Sequence, residues 1–476
     1  MNLSETQDRA EILKRFVSIV GERNALREPS EIDPFLVEPR GRYHGKSGLV
    51  LKPGSTAEVS SILKLASETG TPIVPQSGNT GLVGGQVPDE SGRQVVVSLS
   101  RMDGLRELDA DGATVTVEAG MILQNLHDAA DKAGFLFPLT LASQGSCQIG
   151  GNLSSNAGGT AVLAYGNARD LCLGLEVVLP TGEVLDDLRK LKKDNTGYDL
   201  KDLFVGAEGT LGIITAAVLK LFPKPAGRLV SWIGLKNPND ALALFRLASA
   251  RAGTALTTFE LVEATALELT LKHFDSLANP LAGGHRWYVM LEISSNRSDA
   301  DARQLGESIL EEAYSQDILQ DAALSESLAQ VEAFWNIREL IPDAQKREGA
   351  SIKHDISVPV PTIPRFIEMA GPEVLKIVPG ARIVCFGHMG DGNLHYNISP
   401  PEGGDEAAFM ARYGEANKAV YAIVRKLDGS FSAEHGIGQL KRGELFSTAP
   451  PVAIDLMRRI KAAFDPAGIM NPGKVV

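Results

Sequence analysis

Pro75-Gln76-Ser77-Gly78-Asn79-Thr80-Gly81-Leu82-Val83-Gly84-Gly85 follows the short apolar run Pro72-Ile73-Val74, and the reading of this stretch decides the fold. Glycines at such spacing let successive backbone N–H groups converge on one concave point, a nest that binds phosphate oxygens without a basic side chain. Gly78, Gly81 and Gly84 are spaced G-x-x-G-x-x-G, which is not the G-x-G-x-x-G of a Rossmann turn. A Walker loop nearly forms at Gly45-Lys46-Ser47, but its first glycine would fall on Arg40, so that reading is rejected as well. On the N-terminal side, Leu49–Pro53 reads as a strand. Ser55 or Thr56 caps a helix running through Val59, Ile62, Leu63 and Leu65 to Gly70, and a second strand begins at Pro72. The glycine loop is thus delivered by a β-α-β unit of about thirty residues, a scaffold suited to a nucleotide-sized ligand.

Two further segments have the same character. Ser143-Gln144-Gly145-Ser146-Cys147-Gln148-Ile149-Gly150-Gly151-Asn152-Leu153-Ser154-Ser155-Asn156-Ala157-Gly158-Gly159 offers donors and close backbone approach over more residues than a turn requires, and does not read as a core element. Gly206-Ala207-Glu208-Gly209-Thr210-Leu211-Gly212-Ile213-Ile214-Thr215 enters a strand. Three such segments in one half of the chain point to a large, extended cofactor.

The remaining composition is restrictive. Over 476 residues, two or three domains are expected. Lys and Arg number 47 against 59 Asp and Glu, and a formal charge of −12 argues against nucleic acid or an anionic membrane as the main partner. No apolar run reaches the roughly 18 residues of a spanning helix, and Met1–Asp8 lacks the basic start and apolar core of a secretory signal. Cys147, Cys172 and Cys385 form no C-x-x-C pair, so neither a disulfide scaffold nor an iron–sulfur cluster is indicated. A cytoplasmic protein without a transmembrane segment is the expectation. Residues 8–26 read as an amphipathic helix. Phe222-Pro223-Lys224-Pro225-Ala226-Gly227 reads as a linker, followed by Ala- and Leu-rich helices (240–252 and 299–315) and strands such as 287–293.

Taken together, the three glycine segments resemble the FAD-binding domain of the vanillyl-alcohol oxidase/PCMH flavoprotein superfamily over residues 45–222. The resemblance implies an α+β fold, a PCMH-type FAD-binding domain of two α+β subdomains followed by an α+β substrate (cap) domain. It assigns to FAD the loop residues Pro75, Ser77, Gly78, Asn79, Thr80, Gly81 and Leu82. To these it adds Pro138, Leu139, Ser143, Gly145, Ile149, Gly150, Asn152, Asn156 and Gly158, then Gly212 and Ile214, and Asn471 in the tail. Covalently flavinylated members carry a histidine in the first loop; residues 75–85 contain none, so non-covalent FAD is expected.

The second half carries its own signal, Phe386-Gly387-His388-Met389-Gly390-Asp391-Gly392-Asn393-Leu394-His395-Tyr396-Asn397-Ile398. Gly390–Asn393 is turn chemistry between two strands, and the reversal brings His388 and His395 to one side of a hairpin. Ser432-Ala433-Glu434-His435-Gly436-Ile437-Gly438 supplies a carboxylate and another imidazole. Two imidazoles and a carboxylate with an open position suit a catalytic divalent ion, typically zinc. Four of the eight histidines, His354, His388, His395 and His435, fall in these pieces and one polar strand.

These pieces resemble the C-terminal domain of FAD-linked D-2-hydroxyacid dehydrogenases over about residues 225–476, most closely D-2-hydroxyglutarate dehydrogenases. The resemblance implies zinc or a similar divalent ion on His388, His395 and Glu434, with His435 as base. It implies substrate contacts from Arg338, Lys353 and Asn397. One departure is Pro342, which stands where some members carry a substrate-binding hydroxyl. The implied substrate is a small D-2-hydroxy acid, D-2-hydroxyglutarate or alternatively D-lactate. The implied acceptor is an electron-transfer flavoprotein or a quinone, and a homodimer is expected. An electron-relay subunit without catalysis is a further alternative; a metallohydrolase is disfavoured because no H-E-x-x-H motif is present. The expected division is a helical segment at 1–44, the FAD domain at 45–224, the substrate domain at 225–455, and a tail at 456–476 that returns to the flavin.

Overall fold

The computed structural model describes residues 3–476, with side chains from Asp8 onward. The chain forms two compact units. One contains the residues up to Gly158, Asn167–Pro223 and Glu434–Val476; the other contains Gly159–Gly166 and Lys224–Ala433.

In the first unit, β1 (Ala25–Leu26), β2 (Val50–Leu51), β3 (Ile73–Gln76) and β4 (Val95–Ser98) make a sheet in the order β1-β2-β4-β3. The helix Thr56–Thr69 joins β2 to β3 and buries Val59, Ile62, Leu63, Leu65 and Ala66. The Ser55 side chain accepts the Glu58 N–H at its start, as an N-cap should. The two strands of this β-α-β unit are not neighbours: each runs parallel to β4, which lies between them. The first helix ends at Val20, short of the expected residue 26, and the chain then enters the sheet as β1. Residues before 45 are therefore an integral part of this unit and not a separate helical segment.

The chain continues through β5 (Leu105–Asp109), β6 (Thr114–Glu118), β7 (Phe135–Leu136), β8 (Cys172–Val178), β9 (Val184–Asp187), β10 (Ile213–Lys220) and β11 (Phe222–Pro223). An antiparallel sheet has the order β5-β6-β10-β8-β9, while β7 pairs with β11. The second glycine segment departs from its expectation. Ile149–Ser154 is a short helix with Ile149 and Leu153 buried, because these two apolar residues, four apart, share one face of the turn. The C-terminal residues join this unit from Glu434, earlier than the expected 456. Polar contacts explain the earlier boundary: Gln439 Nε2 donates to Gly84 O at 2.9 Å, and Lys474 Nζ donates to Val87 O at 2.8 Å.

The second unit is built on a seven-stranded antiparallel sheet of β12 (Gly227–Leu235), β13 (Leu256–Glu263), β14 (Trp287–Ser295), β15 (Asp321–Leu324), β16 (Asp355–Ser357), β17 (Arg382–His388) and β18 (Asn393–Ser399). Its order is β15-β12-β14-β13-β17-β18-β16. Helices cover both faces, so the strands read as nearly unbroken apolar runs instead of alternating ones. Leu229, Phe259, Leu261, Val289 and Tyr396 pack on one side with Phe366 and Val420. Val230, Trp232, Val262, Met290 and Phe386 pack on the other with Phe334 and Ile337.

The β17–β18 hairpin depends on Gly387. Its φ is +149°, and an added Cβ would lie 2.7 Å from Asn393 O. Gly387→Ala is expected to cost about 1–3 kcal/mol, as strained backbone positions do, and to lower the urea midpoint.

Candidate active site

The first unit contains a cavity of about 850 Å³, partly open to solvent. It is lined by Pro75, Ser77, Gly78, Asn79, Thr80 and Gly81 of the first glycine loop, Gly150 and Asn152 of the second segment, and Gly212 and Ile214 of the third. His435 lines the same cavity. Of the other residues assigned to FAD by resemblance, Leu82, Pro138, Leu139, Ser143, Gly145, Ile149, Asn156, Gly158 and Asn471 are not among its lining. Several have other work: Leu139 O takes a hydrogen bond from His127 Nε2 at 2.8 Å, Asn156 Oδ1 accepts the Arg169 N–H at 3.0 Å, and Gly158 lies against the Glu434 carboxylate. Asn471 works from behind, donating to Gly85 O at 2.9 Å and to Glu208 O at 2.8 Å.

The lining fits a dinucleotide cofactor. Buried polar atoms are normally paired, yet Gln76 Oε1, Asn79 Oδ1, Gln148 Oε1 and Asn152 Nδ2, all on cavity residues, have no hydrogen-bond partner among the described residues. Both donor and acceptor capacity is therefore held for a ligand. At Gly78 an added Cβ would meet Ser146 O at 2.1 Å, so the loop can pass this backbone only as glycine.

Glu208 was not singled out in the sequence, although it sits inside the third glycine segment. Its Oε1 accepts the Ile437 N–H at 2.7 Å and its Oε2 accepts the Gly438 N–H at 2.8 Å. Burial raises its carboxyl above the ordinary range despite those two donors. The bonds fix the loop that carries His435. Within that loop, the Glu434 carboxylate and a ring nitrogen of His435 lie within 4.8 Å of each other.

In the second unit the sheet register assembles a polar row. Glu260 on β13 pairs with His388 on β17, Phe386 pairs with His395 on β18, and His395 pairs with Asp355 on β16. Directly paired residues share a face, and so do residues two apart along a strand. Four neighbouring strands therefore place Glu260, His388, His395 and Asp355 on one side. Ring nitrogens of His388 and His395 lie within 4.8 Å of each other. His388 Nδ1 is 2.6 Å from Glu260 Oε1, and Arg338 Nε donates to Glu260 Oε2 at 2.5 Å. Burial alone would raise the Glu260 carboxyl, but Arg338 and His388 outweigh it and hold it down to about 2. The signal for Glu260 was a lone charge in the strand Thr257-Thr258-Phe259-Glu260-Leu261-Val262.

Ile352 bridges Ile398 in the same register that pairs Asp355 with His395, which sets Lys353 across from Asn397. Asn397, for which a substrate contact is expected, also has partners inside the protein. Its Oδ1 accepts the His354 N–H at 3.1 Å and its Nδ2 donates to Gln345 Oε1 at 2.8 Å, so the side chain is engaged at both ends as a support. Pro342 lies at the start of the helix Ile341–Arg347, where a missing N–H costs nothing.

Residues 48–187 match the family model of an FAD binding domain, and residues 224–475 match that of FAD linked oxidases, C-terminal domain. The mitochondrial D-2-hydroxyglutarate dehydrogenase of Arabidopsis thaliana is 38% identical over 464 residues, covering 97% of this chain and 80% of that protein. The Bos taurus protein of the same name is 37% identical over 454 residues, covering 95% and 81%. A putative mitochondrial D-lactate dehydrogenase of Schizosaccharomyces pombe is 35% identical over 480 residues, covering 97% and 89%. A solved structure of p-cresol methylhydroxylase with substrate bound has the same fold, with a TM-score of 0.76 at 16% identity over 98% of this chain and 97% of that one. The chain belongs to the FAD-linked oxidases, in the group of D-2-hydroxyacid dehydrogenases. It is an FAD-dependent oxidoreductase acting on D-2-hydroxy acids.

The cytoplasmic location expected from the sequence does not stand, since the plant and bovine relatives are named as mitochondrial. Among the described residues no helix is long and apolar enough to cross a membrane.

Gly78→Ala is expected to abolish flavin retention, read as loss of the visible flavin bands from purified protein with its circular dichroism preserved. Stability should also report on Glu260. Its folded value of about 2 lies below the ordinary 4.5, so its contribution is complete above pH 4.5 and is lost as pH falls from there through about 2. In Glu260→Gln that acid-dependent part disappears, and the gap between the urea midpoints at pH 7 and pH 3 narrows.

Proposed function

We propose that the enzyme oxidises D-2-hydroxyglutarate to the 2-oxo acid with the help of a divalent ion, zinc in the first instance, held by His388, His395 and Glu434. When bound, FAD supplies the hydride acceptor and the ion supplies a Lewis acid for the substrate hydroxyl. The chain's own residues do the rest. A ring nitrogen of His435 takes the hydroxyl proton, a task for which a neutral imidazole is suited near neutral pH. Arg338 grips a carboxylate through its planar edge, and Lys353 supplies a second cation on the opposite strand. Asn397, set across from Lys353, adds a polar contact to the substrate carboxylate while its Oδ1 holds the His354 N–H.

The observation that carries this reading is that His435 lines the cavity formed by the glycine loops. An imidazole thereby faces the chamber that fits the cofactor, which supports its role as the base. Support for the ion comes from the paired imidazoles of His388 and His395. Glu434 follows directly on Ala433, whose N–H bonds Asp355 O at 3.3 Å, and Asp355 is the strand partner of His395. Two cations, Arg338 and Lys353, favour a dicarboxylate. Pro342, in place of a hydroxyl, favours D-lactate as the second reading. The acceptor is an electron-transfer flavoprotein or a quinone, as the resemblance to the D-2-hydroxyacid dehydrogenases implies.

Anaerobic addition of D-2-hydroxyglutarate should bleach the flavin, D-lactate should do so more slowly, and a chelator should suppress both. Bleaching by no D-hydroxy acid would return the chain to an electron-relay role. His388→Ala is expected to remove the ion and at least 100-fold of turnover, within the roughly 10²–10⁴-fold span of a lost catalytic group, while the flavin spectrum stays. A fully active, ion-free His388→Ala protein would remove the metal from the mechanism.

A further inference from the structure

Glu260 is 0% exposed, in the middle of a sheet covered on both faces. Each of its oxygens meets a different charged or ionisable partner, Oε2 with Arg338 Nε and Oε1 with His388 Nδ1. The register imposes this, since Glu260 and His388 are directly paired across β13 and β17. Arg338 comes from the helix Leu328–Glu339 and is itself buried. A well-packed apolar side chain would fill such a place at least as stably as a buried ion pair. Cohesion alone therefore does not account for a carboxylate at this place.

We propose that Glu260 is a positioning residue that orients the ion site and the substrate clamp together, through one carboxylate. The proposal rests on the reading of His388 as an ion ligand and Arg338 as the carboxylate clamp. An oxygen that accepts from Nδ1–H puts the imidazole lone pair on Nε2, the nitrogen with which His388 would hold an ion. An oxygen that accepts from Nε–H leaves the two Nη groups of Arg338 for another acceptor. Among the described residues those Nη groups have no hydrogen-bond partner. The guanidinium is also held over the Phe386 ring, 4.9 Å from its centroid, and Phe386 lies 5.0 Å from the His395 ring. Arg338, Phe386, His395 and His388 thus close a ring of contacts whose shared anchor is Glu260. A shift of that carboxylate moves both functions at once.

Glu260→Gln keeps the shape but offers one acceptor and one donor. With its oxygen on Arg338, the amide N–H faces Nδ1 and drives the His388 proton to Nε2, where the ion must bind. Zinc affinity, measured by competition with a chromophoric chelator on the flavin-loaded enzyme, should fall about 10–100-fold. The KM for D-2-hydroxyglutarate should rise about 10-fold, with the flavin spectrum unchanged. Glu260→Asp keeps the charge but withdraws it by one methylene, and should fall between wild type and Glu260→Gln in both readouts. It also decides the matter if Glu260→Gln does not fold. Wild-type zinc affinity and KM in these variants, even with a lowered melting temperature, would reduce Glu260 to a structural role and overturn the proposal. A wild-type enzyme that turns over without binding zinc would instead overturn the ion reading, and the His388 part of this proposal with it.

Discussion

A carboxylate with no water around it must be compensated where it stands, and the second unit is organised around that requirement. Glu260 is reached by a guanidinium from a covering helix and an imidazole from the neighbouring strand, one on each oxygen. In the low dielectric of a sheet packed on both faces such contacts are strong, and removing either partner would leave a stranded charge. The strand order that puts β13 beside β17 is thus tied to the chemistry. It carries His388, His395 and Asp355 onto the same face in consecutive pairings.

The first unit solves a different problem with backbone instead of charge. Its three glycine segments converge on one cavity, and the polar atoms that would normally pair inside the protein are left facing that space. The chain's last forty-odd residues brace this arrangement from outside. Gln439, Asn471 and Lys474 all donate to carbonyls of residues 84–87, at the end of the first loop. Glu208 fastens the His435 loop through two backbone N–H groups. The imidazole and the cofactor loops are therefore held by the same set of hydrogen bonds, which keeps that imidazole in a fixed relation to the cavity it lines.

Much of the site was legible before any coordinates because its chemistry is local. A loop whose backbone must bind phosphate needs glycines within a few residues, and a hairpin that pairs two histidines needs a tight turn between them. Both requirements leave marks at short range. Asn397 shows what local reading leaves out: its motif suggests a substrate contact, while its partners inside the protein, His354 and Gln345, lie 43 and 52 positions away. Glu260 and Glu208 are the opposite case. Each is a single carboxylate without a motif, and its importance comes from residues at least 78 positions away. The helix Ile149–Ser154 was hidden by composition, because Gly, Ser and Asn surround the two apolar residues that bury it.

The sequence by itself determined the kind of cofactor, glycine nests for a dinucleotide, and it brought together in short motifs the imidazoles and the carboxylate on which the proposed ion site rests. These follow from what each residue type can do at close spacing, and survive without knowledge of the fold. Only the tertiary structure decided which oxygen faces which nitrogen, which strand lies next to which, and where the chain leaves the second unit for the first. Those are outcomes of long-range pairing, in which a register choice on one strand sets the neighbours of a residue more than a hundred positions away.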